Sequence, residues 1–94
     1  MTNKQRAFLT SLASNEPSIL QIGKGSVTPE YVNAVDEAIT KRELVKISVL
    51  KNCMEDPHTL AQTLAERTKS EVVRVIGRKI ILYRPAKKPV IKLP

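Results

Sequence analysis

The stretch "LQIGKGSVTPEYV", residues 20–32, passes from an apolar segment through two glycines and a lysine into the start of a helix. Thr28 is a favourable N-cap residue, and Pro29 suits the first helical position because a backbone N–H has no partner there. The residues before Gly23, Ser18–Ile22, are typical of a short strand. This order of strand, glycine loop and helix predicts an α/β fold.

The other elements follow from the spacing of apolar residues, which is helical in some segments and alternating or continuous in others. The predicted helices are Asn3–Ser14, Pro29–Lys41 and Pro57–Thr68, and the predicted strands are Ser18–Ile22, Glu43–Leu50, Glu71–Ile76 and Ile80–Arg84. Thr2 and Gln5 have the spacing of a capping box at the first helix, and Asp56 is a suitable cap for the third.

The element order is therefore α-β-α-β-α-β-β. A helix connects the first two predicted strands, so we expect them to be parallel with a right-handed crossover. The last two strands form a hairpin with Gly77 in the turn. The predicted architecture is an α/β sandwich with a four-stranded mixed sheet. We expect residues 1–85 to form one domain and residues 86–94, "AKKPVIKLP", to be a basic, Pro- and Lys-rich tail that is extended or disordered.

The charge is distributed unevenly along the chain. The net charge is +7, from 16 Lys and Arg against nine Asp and Glu. Residues 1–66 have a net charge of −1, whereas residues 67–94 contain nine basic residues and one acid, Glu71. Such an excess indicates a polyanionic partner such as nucleic acid, and the alternative is a solvated surface that keeps the protein soluble.

Composition also disfavours several classes of protein. Cys53 is the only cysteine, so no intramolecular disulfide is possible, and with His58 as the only histidine we expect no zinc or other metal site and no cofactor. The apolar runs are too short for a membrane span or a signal peptide, so we expect no membrane partner and a cytoplasmic location.

The glycine loop matches neither of the common nucleotide-binding signatures. A Walker A motif would place its first glycine at Ser18 and its magnesium-binding hydroxyl at Gly25, and a dinucleotide fingerprint would place its third glycine at Thr28. The loop nevertheless favours an anion, because its glycines permit close approach, Lys24 adds a charge, and Ser26 and Thr28 add hydroxyls. A plain strand-to-helix turn is the alternative.

Three segments of the sequence, the first of which contains the glycine loop, resemble a known family. They are "IGKGSVT" at residues 22–28, "AVDEAITKRELVKISVL" at 34–50 and "VVRVIGRKIILYRP" at 72–85. Together they resemble the CRM domain (chloroplast RNA splicing and ribosome maturation) in its stand-alone bacterial YhbY-type form. The resemblance extends from "KQRAFL" at residues 4–9 to the end of the last strand.

The resemblance implies a fold similar to the C-terminal domain of translation initiation factor three. It also implies an RNA-binding protein that acts in ribosome assembly on the ribosomal RNA of the precursor large (50S) subunit. The family has a G-x-x-G loop that contacts RNA, which implies this role for Gly23, Lys24, Gly25 and Ser26. Serine replaces the second glycine at position 26, and we expect Gly25 to supply the missing flexibility one position earlier.

The basic residues near the loop and the hairpin complete the predicted RNA-binding surface. The main candidates outside the glycine loop are Thr28, Lys46, Arg78, Lys79 and Arg84, and the weaker candidates are Lys4, Arg6, Lys87 and Lys88. Only three aromatic residues are present, and Phe8 and Tyr31 fall on apolar helix faces. We therefore expect recognition of the RNA backbone and its shape rather than stacking on bases.

Two other classes of function are weighed against RNA binding. An Alba-like DNA- or chromatin-binding protein would also be small, basic and α/β, but it would dimerise, whereas we expect a monomer here. An enzyme is disfavoured because no Ser-His-Asp or Cys-His grouping is present, and Asp36 and Glu37 are typical of a solvated helix face. We expect no small-molecule substrate.

Overall fold

The computed structural model describes residues 1–94 and confirms the predicted order of three helices and four strands. The helices are α1 (Asn3–Ser14), α2 (Pro29–Arg42) and α3 (Pro57–Thr68), and the strands are β1 (Leu20–Ile22), β2 (Leu44–Val49), β3 (Glu71–Ile76) and β4 (Lys79–Tyr83). The predicted caps at Thr2, Thr28 and Asp56 are all present.

Two strands are shorter than predicted. β1 begins at Leu20, although the N–H of Ile19 before it already donates to the Lys46 carbonyl oxygen of β2 at 3.1 Å. β2 begins at Leu44 because Glu43 is the C-cap of α2 and has a φ of 65°, which a strand residue does not adopt.

The sheet has the order β1-β2-β4-β3, with β1 parallel to β2 and the other pairs antiparallel. The predicted hairpin of β3 and β4 is confirmed, and Gly77 in its turn has a φ of 58°. This register places the carboxyl ends of β1 and β2 beside the β3–β4 turn. We call this edge of the sheet the loop end.

Helices cover both faces of the sheet. α2 and α3 pack on one face around a cluster of 13 buried residues that includes Val35, Ile47 and Leu64. α1 packs on the other face around a cluster of five, Leu9, Ala13, Val73, Ile81 and Tyr83. Burial of these side chains supplies the main free energy of folding.

A β-bulge in β3 fixes the position of α1. The register with β4 passes from Val72 to Arg74, so Val73 has no partner and is 1 % exposed in the core beneath α1. The guanidinium of Arg6 in α1 donates to the carbonyl oxygens of Val72 and Val73 at 2.5 and 2.6 Å. Because β3 is an edge strand, these bonds also cover polar groups that would otherwise be open to pairing.

Residues 86–94 form neither helix nor strand and lie against the domain. The carboxylate of Glu43, a residue only 3 % exposed, accepts hydrogen bonds from the backbone N–H groups of Ala86, Val90 and Ile91 at 2.8 to 2.9 Å. Ile91 and Leu93 pack against the core beneath α1. The bond from Ala86 is the main reason why the pKa of Glu43 is lowered although burial acts in the opposite direction.

None of the three helices is both long enough and apolar enough to span a lipid bilayer.

Candidate nucleic-acid interface

Three loops meet at the loop end of the sheet. They are residues 23–28 between β1 and α2, residues 50–56 between β2 and α3, and the turn at residues 77–78. The first two follow parallel neighbouring strands, so they leave the sheet side by side. The N–H of Leu50 donates to the carbonyl oxygen of Ile22 at 2.8 Å and continues the pairing into these loops.

The glycine loop is a tight turn in which Ser26 carries the unusual backbone angle. The N–H of Ser26 donates to the carbonyl oxygen of Gly23 at 3.0 Å. Ser26 has a φ of 54°, whereas Gly25 does not have a positive φ, so the expectation that Gly25 supplies the flexibility is wrong. The left-handed residue stands at the end of the turn, where the chain is redirected into the N-cap of α2. A serine there costs about 1 kcal/mol relative to a relaxed backbone.

The hydroxyls of this loop are engaged within the protein. The Ser26 hydroxyl donates to the carboxylate of Glu55 in the neighbouring loop. The Thr28 hydroxyl oxygen accepts the N–H of Tyr31 at 3.1 Å and so caps α2. Ser26 and Thr28 therefore hold the loop in its conformation, and Lys24 remains as its free polar side chain.

The two glycines of the loop have different surroundings. A Cβ at Gly23 would lie 3.5 Å from the side chain of Asn52 and 3.7 Å from that of Leu50, so the two loops approach closely there. A Cβ at Gly25 would have nothing within 4 Å. The backbone at Gly25 is therefore open to an approaching ligand, which is the condition for contact with a phosphate.

Arg78 ties the hairpin turn to the loop after β2. Its guanidinium donates to the carbonyl oxygens of Val49, Leu50 and Cys53 at 2.9, 2.6 and 3.0 Å. All three acceptors are backbone groups in or after the end of β2, and the Leu50 carbonyl oxygen also accepts the N–H of Cys53 at 3.0 Å. Arg78 thus brings its charge to the loop end and at the same time gives the loop a fixed shape.

Lys79 lies on the α1 face of the sheet at the loop end. Its ammonium group donates to the Ser48 hydroxyl at 2.6 Å, and Ser48 donates to the Ser18 hydroxyl at 2.7 Å. This chain of side chains crosses from β4 over β2 to the segment before β1. The charge of Lys79 is exposed beside these hydroxyls.

Lys24 and Lys51 are exposed, and neither is in an ion pair. The ion pairs of the molecule are between His58 and Asp56 and between Arg84 and Asp36. Lys51 is not among the residues that the sequence motifs indicate, although it directly follows the strand predicted to be parallel to β1. The basic residues of the loop end are therefore Lys24, Lys51, Arg78 and Lys79.

Arg84 lies at the opposite end of the sheet from the glycine loop. Its guanidinium donates to the Asp36 carboxylate at 2.7 Å, to the Thr40 hydroxyl at 2.6 Å and to the carbonyl oxygen of Thr68 at 2.5 Å. Arg84 thus joins β4 to α2 and α3. The structure does not bring it together with Lys24.

The other basic residues that the sequence predicts to contact RNA also lie away from the glycine loop. The ammonium group of Lys46 lies 3.4 Å from the carbonyl oxygens of Ala13 and Glu16, where it closes the C-terminal end of α1. Arg6 is bound to β3 as described above, and Lys4 is exposed on the same helix. Lys87 and Lys88 border a cleft with Arg84.

Two aromatic residues, the cysteine and the histidine of the chain lie outside the loop-end group of basic residues. Phe8 and Tyr31 pack against the two cores, and burial raises the pKa of the Tyr31 hydroxyl. Cys53 is buried, and His58 is exposed. The structure contains no group of three or more His, Cys, Asp or Glu side chains that could hold a metal ion.

Comparison with known proteins identifies the family of this domain. A sequence model of the CRS1/YhbY (CRM) domain matches residues 1–84. The chain belongs to the CRS1/YhbY (CRM) domain family. The resemblance stated from the sequence is confirmed.

Relatives of this CRM domain share most of its length. "Probable RNA-binding protein YqeI" of Bacillus subtilis is 41 % identical over 87 residues, which are 93 % of this chain and 91 % of the relative. "RNA-binding protein" of Haemophilus influenzae is 28 % identical over 94 residues, covering 100 % of this chain and 95 % of the relative. The solution structure of the hypothetical protein SAV1595 from Staphylococcus aureus is similar with a TM-score of 0.84 and 44 % identity, covering 100 % of this chain and 99 % of that one.

Proposed function

We propose that this CRM domain is an RNA-binding protein that acts in ribosome assembly, by binding ribosomal RNA of the precursor large subunit at the loop end. The observation that carries the proposal is the meeting of Lys24, Lys51, Arg78 and Lys79 around an open glycine loop. The relatives named as RNA-binding proteins support the choice of RNA as the polyanion. In this proposal the protein is a cytoplasmic monomer without catalysis, cofactor or small-molecule substrate.

The geometry favours contact with the RNA backbone. Lys24 and Lys51 are point charges without acidic partners, and the open backbone at Gly25 allows a phosphate to come close. The aromatic residues pack in the cores, so no aromatic platform for base stacking is exposed on the sheet. Structured RNA, which presents phosphates and 2′-hydroxyls, suits such a surface better than single-stranded RNA.

The loops are held in place before RNA arrives. Arg78 fixes the loop after β2, and Ser26 is bonded to Glu55 across the two loops. A surface that is already ordered loses less conformational entropy on binding, so more of the contact energy appears as affinity.

The ribosomal target rests on the resemblance to stand-alone bacterial CRM proteins, which implies association with the precursor of the large subunit. An Alba-like DNA-binding protein is the second candidate, because the excess of positive charge suits DNA phosphates equally well. The two candidates differ in their preferred nucleic acid and in oligomeric state.

Sedimentation of cell lysate at low magnesium concentration tests the proposal. The wild-type protein is compared with Lys24→Ala/Lys51→Ala/Lys79→Ala and with a matched control, Lys24→Arg/Lys51→Arg/Lys79→Arg, which keeps the charge at each position. We expect the wild type and the arginine variant to sediment with free or precursor large subunits and the alanine variant to remain at the top of the gradient. Circular dichroism of each variant checks that it is folded.

Three results would contradict the proposal. The wild type could remain at the top of the gradient, or the alanine variant could sediment with the subunits as the wild type does. Purified protein could also bind duplex DNA as tightly as structured ribosomal RNA and form a stable dimer, which would favour the Alba-like function.

A further inference from the structure

A second group of basic residues lies at the end of the sheet opposite the glycine loop. Its members are exposed and follow or close the carboxyl ends of α2, α3 and β4. We call this group the distal pole; it consists of Lys41, Arg42, Lys69, Lys87 and Lys88. The sequence separates these residues by up to 47 positions, and the fold brings them to one end.

Arg84 connects the secondary-structure elements that carry the residues of the distal pole. Its bonds to Asp36, Thr40 and the carbonyl oxygen of Thr68 join the last strand to the ends of α2 and α3. Lys87 and Lys88 border one cleft beside Arg84, and Lys69 borders another. The basic side chains of the distal pole therefore lie around Arg84, whose own charge is paired with the Asp36 carboxylate.

The segment that carries Lys87 and Lys88 is fixed on both sides. Glu43 accepts the N–H of Ala86 before the two lysines and the N–H groups of Val90 and Ile91 after them. This buried carboxylate turns a basic tail into an ordered part of the surface.

Positive charge at the distal pole exceeds what its surroundings neutralise. None of its five members is in an ion pair, and Asp36 is paired with Arg84. The other acids nearby are Glu71 beside Lys69, Glu16 in a cleft with Arg42, and the buried Glu43. The carboxyl ends of α2 and α3 each contribute about half a negative charge. The loop end has four basic residues, with Glu55 and Asp56 in its own loops.

The excess charge of the C-terminal third is thus not concentrated at the glycine loop. Of the nine basic residues in positions 67–94, only Arg78 and Lys79 reach the loop end. Most of the others lie at or near the distal pole. A surface on which the fold collects this much unpaired charge is a candidate site for a polyanion.

We propose that the distal pole is a second phosphate-binding surface for RNA, so that one molecule holds two RNA segments and bridges them. This inference rests on the proposed function, because the first segment is the one bound at the loop end. The two ends are separated by the length of β2, six residues or about 17 Å. The two groups lie at opposite ends of the strands, so in this proposal each contacts a different RNA segment.

RNA fits the distal pole better than an acidic protein or an anionic membrane does. Stable protein interfaces and membrane-bound surfaces use large apolar anchors in addition to charge. Within residues 86–91, Val90 is the single exposed large apolar side chain, which is fewer than such an interface uses. Point charges without apolar anchors are sufficient for phosphates.

A bridging assay with two short hairpins of structured ribosomal RNA tests the inference. One hairpin is immobilised on beads, the protein is added, and retention of a second, fluorescent hairpin is measured. The variants Lys41→Ala/Lys87→Ala/Lys88→Ala and Lys24→Ala/Lys51→Ala/Lys79→Ala each remove three lysines from one end. We expect the wild type to retain the second hairpin and each variant to reduce retention by about tenfold or more.

Two controls accompany the assay. The variant Lys41→Arg/Lys87→Arg/Lys88→Arg should restore retention, because it keeps the charge. Sedimentation in the same buffer should show a monomer, so that retention reports two sites on one molecule and not two copies with one site each.

The outcomes distinguish this inference from the proposed function. If the protein binds no hairpin at all, both fail. If the wild type binds the immobilised hairpin but Lys41→Ala/Lys87→Ala/Lys88→Ala retains the second hairpin fully, the inference is wrong and the proposed function stands. If this variant keeps RNA bridging but loses binding to an acidic peptide or to anionic vesicles, the distal pole serves that partner and the inference is also wrong.

Discussion

Ser26 and Glu43 lie at opposite ends of the sheet, and each is a non-glycine residue with a positive φ. A side-chain carboxylate accepts a hydrogen bond at each position. Ser26 has a φ of 54° and donates its hydroxyl to Glu55. Glu43 has a φ of 65° and uses its own carboxylate to hold residues 86–91. In both cases a side-chain bond helps to offset an unfavourable backbone conformation.

The backbone angle of Ser26 predicts different effects for two substitutions. Ser26→Ala keeps the left-handed conformation and loses the bond to Glu55, whereas Ser26→Gly loses the same bond but removes the backbone cost. We expect the glycine variant to be more stable than the alanine variant by about 1 kcal/mol. Urea unfolding of both variants measures the difference, and equal midpoints would show that Ser26 is not held in this conformation.

Glu43 predicts a loss of stability on amide substitution. Gln has one acceptor oxygen, and its NH2 group would face backbone N–H donors, so Glu43→Gln leaves buried donors without partners. We expect a loss of about 2 kcal/mol near neutral pH. Chemical denaturation at pH 7 checks this value, with Glu37→Gln on the exposed surface of α2 as a control. An unchanged midpoint for Glu43→Gln would contradict the anchoring role.

Glu43 also predicts how stability depends on pH. Its pKa is lower in the folded protein, first because the N–H of Ala86 stabilises the carboxylate. The contribution is therefore fully present above the unfolded-state value of 4.5 and is lost as the pH falls through the folded-state pKa. We expect denaturation midpoints of the wild type to fall below pH 4.5 more steeply than those of Glu43→Gln. Parallel pH profiles for the two proteins would overturn this assignment.

At the scale of elements, residues 86–94 pack against the helices and strands of the domain. Ile91 and Leu93 pack on the core beneath α1, and the side-chain amide of Gln5 in that helix donates to the carbonyl oxygen of Pro94 at 3.3 Å. The segment therefore couples the end of β4 to α1, which other contacts attach mainly through Arg6 and the β3 bulge.

Deletion of residues 86–94 tests this coupling. It removes two apolar contacts and all three donors to Glu43, so we expect a loss of about 2 to 4 kcal/mol in unfolding free energy. Deletion of residues 92–94 alone keeps the three donors and should cost less. Thermal and urea unfolding of both deletions make the comparison, and equal losses would show that Glu43 contributes nothing through this segment.

At the scale of the whole molecule, charge is divided between two ends of the sheet. Lys24, Lys51, Arg78 and Lys79 lie at the loop end, and the distal pole has five further basic residues. Salt dependence of RNA affinity tests the proposed contacts, because each phosphate that a basic residue neutralises releases condensed counterions.

We expect the logarithm of RNA affinity to fall with the logarithm of salt concentration with a slope of about −3 to −5, as for four to six phosphate contacts. Removal of Lys24, Lys51 and Lys79 should make the slope shallower by roughly two. Fluorescence polarisation with a structured ribosomal RNA fragment measures both slopes. An unchanged slope would mean that these lysines do not contact phosphates.

The sequence by itself determined the elements and their order. Caps such as Thr2 and Asp56, the turn at Gly77 and the apolar spacing of the helices act within a few residues, so they can be recognised without the fold. The parallel pairing of β1 and β2 followed from their connection through a helix. The family motifs gave the glycine loop as the candidate site.

Only the tertiary structure decided where each basic residue lies. The sequence predicts Arg84 together with the loop, but Arg84 lies at the other end, whereas Lys51 lies beside the loop, because strand direction places each residue at one end of the sheet. Ser26, and not Gly25, takes the positive φ because the turn closes on Gly23. The anchoring of residues 86–91 by Glu43 spans more than 40 positions. Such long-range bonds form only when the whole chain has folded, so a local pattern of residues does not predict them.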